Sequence, residues 1–322
     1  MTRRLSILLF VAVLATAGTG AMLIVRERAG SSPQPVTPTA TGLALVTVAT
    51  HDALLPALVG STGSGKAGAV VVPPSTMVVI PGQGESTVGD ALQLEPRAAA
   101  TAVSNLLGVW IAHSATVEAD RVAAVADATG IEIDGDHAGA TEVTSMLDEP
   151  DPGGAAALQI VLKALAQGGA SWDVGDLTEA HGGGQVVDAL SAVRGSNVVT
   201  LQTYEVAAGV FRATPEQVTQ ALVAAFGGPA EAATPVIVLN GNGIPGIGER
   251  VAERLIPGGF RVAVSQNASE FHHPETLIVV GSPDDVGLAE RVRDLLGVGS
   301  VSVSVGSGIA PVTVVVGEDF SG

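Results

Sequence analysis

Asn240-Gly241-Asn242-Gly243 stands between an apolar run, Val236 to Leu239, and an amphipathic stretch, Ile247 to Ile256. A glycine-rich strand-to-helix turn leaves backbone amides free at the positive end of a helix, where an anionic or amide-bearing ligand can be received. The same glycines also suit a bare turn and a close approach of helix to sheet. Gly60-Ser61-Thr62-Gly63-Ser64-Gly65-Lys66 has the spacing of a phosphate-binding loop, but Ala67 replaces the hydroxyl that would hold Mg²⁺. It reads as a loop joining two strands. Phe271-His272-His273-Pro274 sets two imidazoles side by side. Adjacent side chains diverge along a strand, so this pair reads as a surface turn and not as a shared metal site. Glu132, Asp134 and Asp136 alternate before His137 at what reads as a strand end. That spacing places three carboxylates on one face, open to water or to a hard cation. No resident metal or cofactor is expected, and no strained serine turn of the Gly-x-Ser-x-Gly kind supports nucleophilic catalysis.

Positive charge is scarce. Residues 42 to 230 contain only Lys66, Arg97, Arg121, Lys163, Arg194 and Arg212. Arg97 and Arg121 are the residual candidates for holding a phosphate, although both fall on expected helices, where a solvated surface role is usual. The whole chain has 15 Lys and Arg against 32 Asp and Glu, a net charge of −17. No basic stripe is available to a nucleic-acid backbone, which argues against such a partner. Cysteine is absent, so disulfides, thiolate zinc sites and a cysteine nucleophile are excluded.

These residues need elements to position them. Arg3 and Arg4 precede an uncharged run from Leu5 to Val25. At about 1.5 Å per residue, a helix of this length covers the ~30 Å hydrocarbon core. The expected arrangement is a single-pass anchor over 5–25 in the bacterial cytoplasmic membrane, with 1–4 cytoplasmic and the bulk of the chain outside. The competing reading is a cleaved signal peptide ending near Ala15-Thr16-Ala17. Residues 26–41 read as a linker because Gly30 to Thr41 is rich in proline and small polar residues.

A break at Gly227-Gly228-Pro229 through Thr234-Pro235 separates a body over 42–229 from a smaller domain over 235–322. In the smaller domain, strands are expected at Val236–Asn240, Phe260–Ser265, Thr276–Val280, Val301–Val305 and Val312–Val316. Helices are expected at Ile247–Ile256 and Asp284–Leu296. The order βαββαβ with an extra strand implies a small sheet covered by two helices on one face. In the body, strands are expected at Leu43–Val48, Ala69–Val72, Met77–Ile80, Ile131–Ile133 and Val198–Gln202. Helices are expected at Pro96–Leu107, Glu118–Thr129, Ala155–Gln167, Gln185–Val193 and Pro215–Phe226. Strands interleaved with helices imply an α/β sandwich of open strand order.

The segments VIVLNGNGIPGIGERVAERLIPGGFRV, TLIVVG and VTVVVGEDF resemble the LytR C-terminal domain over Val236 to Phe320. In the body, TMVVIPGQGESTVGDAL, LLGVWIAHSATVEADRVAAVADATGIEID, LQIVLKAL and VVTLQTY resemble a degenerate LytR-CpsA-Psr domain. The resemblance implies a LytR-CpsA-Psr-like α/β sandwich followed by a small βαββαβ domain. It further implies kinship with enzymes that transfer glycopolymers from a polyprenyl diphosphate carrier to peptidoglycan. The departures fall on the residues such an enzyme needs. Pro73-Pro74-Ser75 stands where the family has Pro-Arg-Asp, and Thr87-Val88-Gly89 where it has Lys-x-Asn. The arginines that the family supplies between Ile131 and Gln159 are missing. A diphosphate needs Arg or Lys clamps, usually with Mg²⁺, as charge develops on the transferring group. The expectation is therefore a non-catalytic, membrane-anchored envelope protein that binds wall glycopolymer or a protein partner, scaffolding or regulating envelope assembly. The alternatives are a divergent phosphotransferase and a structural spacer.

Overall fold

In the computed structural model, residues 42–63, 66–227, 233–304 and 309–321 are described. The expected anchor and linker lie outside them. Among the described residues no helix is long and apolar enough to cross a membrane.

The chain begins with three strands, β1 (Leu43–Ala49), β2 (Leu54–Ser61) and β3 (Ala67–Val71), followed by the hairpin β4 (Met77–Ile80) and β5 (Gly84–Thr87). Next come α1 (Val88–Ala91), α2 (Pro96–Leu107), β6 (His113–Glu118) and α3 (Ala119–Thr129). A small hairpin of β7 (Glu132–Ile133) and β8 (Asp136–His137) leads to α4 (Ala140–Leu147) and α5 (Gly153–Gly168). Then follow β9 (Thr178–His181), α6 (Gly183–Ala192), β10 (Asn197–Thr200), the hairpin β11 (Tyr204–Ala207) and β12 (Val210–Arg212), and α7 (Pro215–Phe226).

Six of these strands form one sheet in the order β10-β3-β2-β1-β6-β9. Alternation divides its side chains between two cores. Ala44, Val46, Val48, Ala57 and Val59 face a cluster built with α3, α4, α5 and α6. Leu43, Leu45, Leu58 and Val70 face the other way, toward α2 and α7. The body is therefore the expected mixed α/β sandwich. Helix limits follow capping chemistry. Thr214 accepts from Gln217 N to open α7, and Gly227, at φ 60°, closes it with a left-handed turn.

The second part comprises β13 (Thr234–Asn240), α8 (Ile247–Leu255), β14 (Phe260–Asn267), β15 (Leu277–Val280), α9 (Val286–Leu296), β16 (Ser300–Val303) and β17 (Val312–Val316). Its five-stranded sheet runs β14-β13-β17-β15-β16, with β15 antiparallel to β17. Both helices share one apolar cluster with the sheet, including Val251, Leu255, Ala289 and Val292.

Two expectations are corrected. Glu132, Asp134 and Asp136 do not alternate along one strand. Asp134 at φ 53° and Gly135 at φ 92° turn the chain into the β7–β8 hairpin, where Glu132 lies opposite His137. Strands β2 and β6, absent from the expected body, are central members of the sheet. The first is buried over six consecutive residues, so it shows no alternation.

Candidate functional site

A cleft of about 340 Å³ opens over β1 and β6 beneath the link from α1 to α2. Leu45 and Leu54 from the sheet and Leu92, Leu94 and Pro96 from the link supply apolar walls, while Thr47, Ser114, Thr116 and Thr178 add hydroxyls. The charged lining residues are Glu118 and Glu179, and neither Arg nor Lys is among them. Such a cleft accepts apolar or hydroxyl-bearing groups and repels a diphosphate.

The corner after β3 has a carboxylate among its polar groups. Ser75 N donates to Asp151 Oδ2 at 3.0 Å. Ser75 Oγ, Thr76 Oγ1 and Asp151 Oδ1 are buried without a protein partner among the described residues. A carboxylate and two hydroxyls favour water or a hydrogen-bond donor there, not an anion. Thr87 is spent locally. It caps α1 by accepting from Asp90 N at 3.1 Å, and Asp90 Oδ2 accepts from Ser86 Oγ at 2.6 Å. Hydrogen bonds from Ser86 and then Thr87 hold the Asp90 carboxyl below its ordinary value.

Neither residual basic candidate faces the cleft. Arg97 forms a bidentate pair with Glu253 on α8, at 2.5 Å from Nε and 2.7 Å from Nη2. This bonding raises the guanidinium further above its usual value. Arg121 binds Asp176, a buried carboxylate, through Nε at 2.6 Å and through Nη2. The body's two remaining arginines also have partners. Arg194 donates twice to Ala170 O, and Arg212 binds Glu85.

The structure does bring Asn240, Gly241, Asn242 and Gly243 together, but as a self-bonded loop. Asn240 Oδ1 accepts from Gly243 N at 2.8 Å, and its Nδ2 donates to Ile244 O at 3.1 Å. Asn242 Oδ1 accepts from Ile244 N at 3.0 Å, and its Nδ2 donates to Gly317 O at 3.0 Å. Gly241 is required by crowding, since a Cβ there would lie 2.8 Å from both His273 Cδ2 and Val316 O. The amides expected to receive a ligand therefore hold the turn. His272, at φ 72° and exposed beside Glu318, stands in the anticipated surface turn. The glycine-rich segment after β2 links two antiparallel strands as expected, although Ser64 and Gly65 lie outside the described residues.

Residues 233–320 match the family model described as LytR cell envelope-related transcriptional attenuator. They form a LytR C-terminal domain. Among solved structures, a LytR-Csp2A-Psr enzyme from Actinomyces oris is similar over 64% of this chain and 97% of its own, at 15% identity and a TM-score of 0.46. Bacillus subtilis TagV is similar over 56% of this chain and 93% of its own, at 13% identity and a TM-score of 0.42. The LytR-CPS2A-psr family protein YwtF (TagT), solved with bound octaprenyl pyrophosphate lipid, is similar over 62% and 93%, at 14% identity and a TM-score of 0.42. No curated protein matches the chain.

The LytR C-terminal domain is stitched to the body by groups the sequence reading missed. Asn105, on the buried face of α2, donates to Val79 O at 3.0 Å and to Val262 O at 2.9 Å, and accepts from Val262 N at 2.6 Å. Gly82 N donates to Ser265 Oγ at 2.7 Å. A Cβ on Gly248 would lie 2.5 Å from Gly82 N, so the start of α8 packs on the β4–β5 turn. Val79 and Trp110 of the body pack on the apolar cluster of the LytR C-terminal domain. One sequence signal was available. Asn105 is a lone amide within the apolar stretch Ala102 to Leu107, where only a satisfied amide is tolerated.

Proposed function

We propose that this chain is a non-catalytic protein of the bacterial cell envelope, anchored by residues 5–25 with its body outside the cytoplasmic membrane. Its cleft over β1 and β6 holds a neutral segment of wall glycopolymer, and its role is to scaffold or regulate envelope assembly. The observation that carries this reading is the charge of the cleft, which has two carboxylates and no cation among its lining residues. Arg97 and Arg121 are engaged by Glu253 and Asp176, so neither is poised to neutralise a transferring phosphate. The LytR C-terminal domain, described as cell envelope-related, supports the compartment.

The test incubates the purified full-length protein in detergent with a polyprenyl-diphosphate-linked glycan, with and without Mg²⁺, beside an active LytR-CpsA-Psr enzyme. The expected result is no turnover, together with glycopolymer retention that Thr116→Trp abolishes by filling the cleft. Turnover that Arg97→Ala or Arg121→Ala removes would overturn the reading in favour of a rebuilt phosphotransferase.

A further inference from the structure

A second cavity, of about 160 Å³, lies where the body meets the LytR C-terminal domain. The β4–β5 hairpin, the end of α2 and the start of α7 form one side of it, and the first half of β14 forms the other. Its titratable lining groups are Glu85, Arg212 and Arg261. Arg212 spends Nη2 on Glu85, donating to the two carboxylate oxygens at 3.0 and 2.9 Å. Its Nε and Nη1 have no partner among the described residues. Arg261 differs, because its guanidinium has neither an ion pair nor a hydrogen bond among the described residues. Loss of water by burial pulls that guanidinium below its usual value.

Among the described residues the cavity thus has one positive charge without a partner, within a chain of net charge −17. Its neutral polar side chains offer nothing further. Asn105 is fully committed to Val79 and Val262, and Thr219 Oγ1 donates to Pro215 O. Guanidinium N–H groups are therefore the donors an incoming group would meet, and their planar fork matches carboxylate or phosphate oxygens. The volume compares with the ~150 Å³ cavities that admit a benzene-sized molecule, which is room for one small oxyanion and not for a sugar chain.

We propose that this cavity is a binding site for a small oxyanion, a carboxylate or phosphate group, held by Arg261 and by the free edge of Arg212. The bound group would bridge the two domains. This site shares no lining residue with the cleft over β1 and β6, so either assignment can fail without the other.

The experiment is isothermal titration calorimetry of the full-length protein in detergent with sodium phosphate and, separately, sodium acetate, at an ionic strength fixed with chloride. Saturable one-site binding of at least one anion is expected, and the stronger of the two identifies the group. Arg261→Gln should weaken binding at least about tenfold, the loss of a charge-assisted contact. Glu85→Gln should tighten it several-fold by leaving two guanidinium groups uncompensated, an effect that a merely structural role for Glu85 does not produce. If Arg261→Gln fails to fold, Glu85→Gln decides alone. The absence of saturable binding for either anion, wild-type affinity in Arg261→Gln, or weaker binding in Glu85→Gln would overturn the proposal.

Discussion

The cleft over the sheet and the cavity at the domain junction differ in size and in charge. The first, at about 340 Å³, is lined by hydroxyls, leucines and two carboxylates. The second, at about 160 Å³, has two guanidinium groups against one carboxylate. Within one chain, Arg and Lys are thus missing from the lining of the cleft and present in the lining of the junction cavity. The junction also has the more demanding construction, with buried side-chain hydrogen bonds crossing between the domains.

This contrast can be broken most forcefully at Asn105. Asn105→Ala strands three backbone groups at the junction, and the two that are buried, the N–H and C=O of Val262, cost about 1–3 kcal/mol each. A loss of about 3 kcal/mol in urea unfolding is expected, with the domains melting in separate transitions. A single transition with a loss under about 1 kcal/mol would show that apolar packing alone joins them. A smaller effect separates the two former phosphate candidates. Arg121→Ala leaves the buried Asp176 carboxylate without its cation and should cost about 1–3 kcal/mol, whereas exposed Arg97→Ala should cost at most about 1 kcal/mol. Only the Arg97 effect should fade as salt is added, and equal effects would contradict the burial difference.

The smallest effect concerns Glu249, beside the junction on α8. Burial first, then repulsion from Glu253, raises its carboxyl above the ordinary value of 4.5. The folded state therefore binds this proton more readily than the unfolded state. The associated stability is complete below the unfolded value and is lost as pH rises through the raised folded one. Glu249→Gln should be slightly more stable than wild type at neutral pH, by under about 0.5 kcal/mol after solvent screening. That advantage should vanish as pH approaches 4.5, as thermal melts over the range would register. An advantage that grows toward acid would reverse the sign assigned here.

The two regions were also unequally legible in the sequence. In the LytR C-terminal domain, short apolar runs alternate with amphipathic helices, and the elements fall close to their expected places. The strand expected to end at Ser265 runs on to Asn267, and the helix expected from Asp284 begins as a 3-10 turn before α9. In the body, β2 was hidden by burial on both faces and by Pro56 within it. β6 was hidden by the helix pattern that begins one residue after it, at Ala119. At the site, the shortage of cations was legible because it is a matter of composition. The partners of Arg97 and Arg121 were not, since Glu253 lies 156 residues from Arg97 and Asp176 lies 55 from Arg121. Asn240 and Asn242 had the residue types of a ligand loop. Whether such amides face outward or close upon their own backbone depends on turn geometry, which residue type alone does not fix.

Asn105 does more than join two domains. β14 is the outermost strand of its sheet, and the N–H and C=O of Val262 point away from β13 into the Asn105 amide. A side chain from α2 thereby occupies the place that another strand would take. Severed from the body, the LytR C-terminal domain would expose an unguarded sheet margin, a template for edge-to-edge self-assembly. The body is in this sense a chaperone built into the same chain, guarding its neighbour's edge by occupying the N–H and C=O of a single residue.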